Sequence, residues 1–113
     1  MKYLLGIYVD ESADMSEADR EAMYAEFSDL TEHLARTGML IDGAQLQPTA
    51  AATTVRVRNG SPLATDGPFA ETKEQLAGYY VVECESIDEA IEAAGRVPTA
   101  RSGSVEVRPL VER

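Results

Sequence analysis

Two side chains in this sequence have the type and setting for proton transfer. Asp66 stands in the run Asp66-Gly67-Pro68-Phe69, and His33 is the single histidine. Gly67 can take backbone angles closed to other residues, and Pro68 fixes its own φ while restricting Gly67. The Asp66 carboxylate is therefore held in a set direction. Two roles are open to it. It can accept backbone N–H groups and fix the turn, or it can act as an acid or base. Phe69 is expected to anchor the turn to the core. His33 falls by helical rotation off the flank of an apolar stripe. There it is either a boundary residue or a general base reaching into a pocket between a helix and a sheet. Arg56, Arg58 and Arg108 are expected to line one sheet face and either hold an anion or pair with surface acids. The candidate catalytic residues are thus Asp66 and His33. The candidate ligand-binding residues are Asp66, Phe69, Arg56 and Tyr79.

Cys84 is the single cysteine and lies between Glu83 and Glu85. Acidic neighbours raise a thiol pKa, so core packing is expected rather than nucleophilic chemistry. The sequence carries no CxxC, HExxH, EF-hand loop or P-loop. One histidine and one cysteine do not make a zinc site of nitrogen and sulfur ligands. No Gly-x-Ser-x-Gly elbow occurs. Neither a metal nor a cofactor is expected.

The chain has 113 residues, the length of one domain with one core. Twenty acidic against ten basic residues give a formal net charge of −10. Such a balance disfavours nucleic acid and anionic membrane as partners, since both demand a basic surface. The lone cysteine allows no intrachain disulfide and fits a reducing compartment. The opening Met1-Lys2-Tyr3-Leu4-Leu5-Gly6 runs into a short strand pattern rather than a leader, and no apolar run reaches membrane-spanning length. A cytoplasmic location is expected.

The elements that must position these residues follow from periodicity. Tyr3 to Val9 is densely apolar and reads as a strand buried on both faces. Ser16, with Asp19 three residues on, caps a helix that runs to Thr37 and stops at Gly38. Met23, Phe27, Leu30 and Leu34 form its apolar stripe. Met39 to Gln47 reads as a strand with a bulge or bend at Gly43. Thr53 to Arg58 alternates cleanly, and Asn59-Gly60 turns it back as a hairpin toward Asp66. Thr72 and Gln75 have capping-box spacing, so a short helix ending at Gly78 is expected before a strand over Tyr79 to Cys84. Ser86 and Glu89 start a second helix, with Ile87, Ala90, Ile91 and Ala94 as its expected buried side. Ser104 to Pro109 is the last strand, with Val105 and Val107 inward. This order predicts an α+β, ferredoxin-like split βαβ fold: an antiparallel sheet with two helices on one face. Apolar residues on the other face call for a second copy, hence a homodimer.

Asp66-Gly67-Pro68-Phe69, Glu71-Thr72-Lys73-Glu74 and Gly78-Tyr79 resemble the DGPF branch of the YCII-related proteins. The likeness extends over nearly the whole chain, from Lys2-Tyr3-Leu4-Leu5 through Thr53-Thr54-Val55-Arg56 to Gly103-Ser104-Val105-Glu106-Val107-Arg108-Pro109. The resemblance implies a dimeric α+β barrel. It also implies a link to extracytoplasmic-function sigma factors, beside which DGPF-type relatives often occur. YCII-type relatives proposed to be enzymes pair a histidine on the first helix with an aspartate. Aligned on Gly38, that histidine falls near Phe27, so His33 does not take its place. The expected function is a non-enzymatic small-molecule-binding or regulatory protein. The alternative is a small acid/base enzyme of lyase, isomerase or hydrolase type, using Asp66 in a pocket between the first helix and the sheet.

Overall fold

A computed structural model describes all residues from Met1 to Arg113. The alternating apolar segments form β1 (Lys2–Val9), β2 (Leu40–Gln45), β3 (Thr53–Arg58), β4 (Ser61–Asp66), β5 (Gln75–Glu83) and β6 (Ser104–Pro109). The helices are α1 (Glu17–Arg36) and α2 (Ile87–Gly95). Single 3-10 turns lie at Thr49–Ala51 and Pro98–Arg101.

Both helices start as their capping residues dictate. The Ser16 side chain accepts from the Asp19 N–H, and the Ser86 side chain accepts from the Glu89 N–H. Each satisfies one donor that the first helical turn leaves open. Gly38 follows the end of α1 at φ 77°, the left-handed conformation that terminates helices.

Four strands make one antiparallel sheet in the order β2-β5-β1-β6. This is the ferredoxin-like arrangement. Register places Tyr3 opposite Val82 and Leu5 opposite Tyr80, so these four share one face. That face carries the core. Tyr3, Leu5, Ile7, Tyr80 and Val82 pack with Leu30 and Leu34 of α1 and with Ala90, Ala93 and Ala94 of α2. No helix covers the other face, where Leu4, Tyr8, Tyr79 and Val81 are half-buried. No helix is long and apolar enough to cross a membrane.

The hairpin β3–β4 pairs only with itself, apart from the main sheet. Asn59 (φ 53°) and Gly60 (φ 77°) both take the left-handed region, which a two-residue turn of this twist requires.

Three local expectations are corrected. The bulge in β2 falls between Leu40 and Asp42, not at Gly43. Gly43 is instead where the Tyr80 ring passes, since a Cβ there would stand 2.7 Å from Tyr80 Cδ1. No helix forms after Thr72. Gln75 Nε2 donates to the carbonyls of Ala70 and Thr72, bracing an irregular turn, and β5 begins at Gln75 itself. In α2 the buried positions are Ala90, Ala93 and Ala94, while Ile87 and Ile91 are exposed. Alanines let the helix approach the sheet closely, and the bulkier isoleucines are left on its flank.

Candidate functional site

The site begins with α1. Its apolar stripe divides. Leu30 and Leu34 are buried against the sheet, whereas Met23 and Phe27 are only half-buried. Toward its N-terminal half, α1 thus stands off the sheet and leaves a cleft of about 660 Å³. Ile7, Val9, Leu40 and Tyr80 contribute apolar lining from the sheet, and Met23, Tyr24 and Phe27 contribute it from the helix. A volume of this size is within the range of small-molecule sites.

Hydroxyl groups set the polar features of the cleft. Thr31 Oγ1 donates to the Phe27 carbonyl at 2.9 Å and lies 2.7 Å from the Tyr80 hydroxyl. With the threonine proton committed to Phe27, the Tyr80 hydroxyl donates to Thr31. Its oxygen retains acceptor capacity. Thr99 also lines the cleft, and its buried Oγ1 has no hydrogen-bond partner. It is the sole buried side-chain nitrogen or oxygen in that state. Of the lining residues only Glu32 is charged, and it is exposed and paired with Arg36 at 3.1 Å.

The sequence-derived candidates disperse. Tyr79 borders the cleft along β5, but its side chain lies on the uncovered sheet face with Leu4 and Val81, where its hydroxyl donates to Asp42 Oδ2 at 3.3 Å. Asp66 ends β4, is exposed, and is not part of the cleft. Its carboxylate accepts no backbone N–H. The turn is held instead by the Gly67 N–H donating to the Ala52 carbonyl at 2.7 Å and by Thr54 Oγ1 donating to the Gly67 carbonyl at 2.8 Å. Phe69 is 80% exposed and anchors nothing within its own chain. The Gly67–Pro68 turn rests on the base of the hairpin, so no core lies beneath the ring. Arg56 projects from β3 on the hairpin. His33 lies in a shallow polar depression with Glu26, Asp29 and Arg101, away from the cleft. Arg108 belongs to β6 and pairs with Glu106 at 2.7 Å, so the three arginines do not share a face.

Cys84 is buried, as its strand pattern requires. Burial pushes its thiol pKa up, with the Glu89 carboxylate adding to the effect. Its Sγ donates to the Ser86 carbonyl. No group of three or more His, Cys, Asp or Glu side chains is assembled for a metal ion.

Sequence reasoning missed Thr31, Tyr80 and Thr99. Thr31 carried a signal, being four residues after Phe27 and hence on the same helix face. Thr99 carried none, because its neighbours in space come from distant elements.

Fold and cleft together define a ferredoxin-like α+β domain with an apolar, hydroxyl-bearing pocket between its first helix and its sheet. The chain belongs to the YCII-related family, whose domain model matches residues 1–113. It is 41% identical over 114 residues to an uncharacterized protein of Rhizobium meliloti (strain 1021), covering 97% of this chain and 92% of that one.

Proposed function

We propose that this protein is a non-enzymatic small-molecule-binding protein and that the cleft between α1 and the sheet is its binding site. The observation that carries the reading is the composition of the cleft. It offers about 660 Å³, apolar walls, the hydroxyls of Thr31, Tyr80 and Thr99, and one charged residue, Glu32. Such a lining suits a neutral or cationic apolar molecule bearing one or two polar groups. It offers no cation to hold an organic anion, and a net charge of −10 disfavours one. The acid/base alternative fits less well, because neither Asp66 nor His33 reaches the cleft. The uncovered sheet face with Leu4, Tyr8, Tyr79 and Val81 supports a homodimer of the dimeric α+β barrel type. The DGPF assignment and the sigma-factor link are proposals that rest on the resemblance of the Asp66–Phe69 and Glu71–Glu74 runs. A thermal-shift screen tests the binding role. Neutral aromatic and terpenoid-sized compounds should raise the melting temperature, since a ligand specific for the folded state stabilises it. A screen in which only carboxylates and phosphates stabilise would refute it.

A further inference from the structure

The hairpin β3–β4 has two unlike faces. Register puts Val55 opposite Ala64 and Val57 opposite Pro62, which makes one face apolar. Val55 is 62% and Val57 61% exposed, so nothing in the chain covers that face. The opposite face carries Arg56 and Arg58, and neither forms an ion pair. A two-stranded hairpin is marginal in water when it stands alone. Here it stands alone, with every β4 residue exposed.

The size of the chain makes the same point. Its accessible surface is 7871 Å². A compact monomer of 12.2 kDa would expose about 6,100 Å². The excess, roughly 1,800 Å², exceeds the ~800 Å² that one partner contributes to a standard interface. The radius of gyration is 15.9 Å, against about 13 Å for a compact domain of this length.

We propose that the β3–β4 hairpin is a clasp that closes on a second copy of this chain through its apolar Val55–Val57 face. The charge distribution favours a second copy over other partners. Residues 53–66 carry two arginines and one aspartate, while the rest of the chain holds the whole acidic excess. The arm therefore lacks the net negative charge that would repel a second acidic body, its two arginines facing away from the Val55–Val57 seam, and the exposed Phe69 ring lies just beyond the end of that arm. The clasp deepens the dimeric reading above and rests on it, because the partner is the same second copy.

Light scattering across a dilution series tests the clasp with the wild-type chain and V55E/V57E. The wild type should be a dimer, and the double variant should dissociate at a concentration at least about tenfold higher, with an unchanged far-UV spectrum. Should the double variant lose its fold, amide exchange of the wild type supplies the answer. The β3 and β4 amides and their flanks should gain protection on passing from the dilute monomer to the dimer. A wild-type monomer at micromolar concentration overturns both the dimer and the clasp. A dimer that V55E/V57E leaves unchanged, or a hairpin equally exchanging in both states, overturns the clasp alone. The sheet-face dimer then stands and the hairpin belongs to another partner.

Discussion

The Tyr80 hydroxyl lies 2.7 Å from Thr31 Oγ1, and this contact ties β5 to α1 at the wall of the cleft. Thr31 serves twice, since it also donates to the Phe27 carbonyl. Tyr80→Phe removes one hydrogen bond and leaves Thr31 satisfied, so it should cost about 1 kcal/mol. Thr31→Val leaves the Tyr80 hydroxyl without its partner and should cost more, about 1–3 kcal/mol. Urea melts of both variants check the order, and a smaller loss for Thr31→Val would refute it.

Alanine is predicted to be costly at Gly43 and Gly103, to different degrees. A Cβ on Gly43 would stand 2.7 Å from the Tyr80 ring, which can shift. A Cβ on Gly103 would stand 2.2 Å from the Tyr8 carbonyl oxygen, which is backbone and cannot. Gly43→Ala should therefore cost about 1–3 kcal/mol, the usual range for overpacking, and Gly103→Ala more. Thermal melts rank the two, and equal losses would show that β1 yields at Tyr8.

Asp66→Ala should change stability by less than about 0.5 kcal/mol, the scale of an exposed substitution. Its carboxylate is exposed and holds no backbone donor. Thr54→Val should cost more, because the threonine hydroxyl holds the Gly67 carbonyl. Denaturation midpoints of the two variants decide, and a larger loss at Asp66 would restore a structural role for its carboxylate.

Much of the fold was legible because periodicity and caps are local. Ser16, Gly38, Ser86 and the Asn59-Gly60 turn each announce an element boundary within four residues. The misplaced features depend on contacts between distant segments. In α2 and the two residues that follow it, Ile87-Ala90-Ile91-Ala94 and Ala90-Ala93-Ala94-Val97 fit the same helical spacing. Only the closeness of the sheet selects the second set, of which all four are buried. Phe69 has the type of a core anchor, but the hairpin beneath it swings clear of the body. The cleft was legible only as a location, between the first helix and the sheet. Its lining, Thr99 above all, depends on where the chain returns.

The Asp10 carboxylate has a pH-dependent role at the start of the loop into α1. The Ser12 hydroxyl and backbone N–H both donate to it, at 2.6 and 3.0 Å, and hold its pKa below the ordinary value of 3.8, with Lys73 assisting. A carboxylate depressed in the folded state contributes stability above its unfolded value and loses it as pH falls through the folded one. The loss from this group therefore lies below pH 3.8. Ser12→Ala should move the Asp10 titration upward toward that value in a carbon-detected NMR titration. No movement would show that the hydroxyl bond is not what depresses it.

The central claim is that the cleft binds a neutral apolar ligand, and a fluorescence titration with N-phenyl-1-naphthylamine tests it most directly. This probe is uncharged and small enough for about 660 Å³. The wild type should bind it saturably with one site per chain, as expected of a preformed apolar pocket. Ser28 is exposed on the lip of the cleft, and Ser28→Trp places an indole across the opening. That variant should keep its fold and lose at least about tenfold in affinity, a change of roughly 1.4 kcal/mol. Saturable binding to the wild type that Ser28→Trp weakens at least about tenfold is the predicted result. No saturable binding, or equal binding to both proteins, would contradict the account.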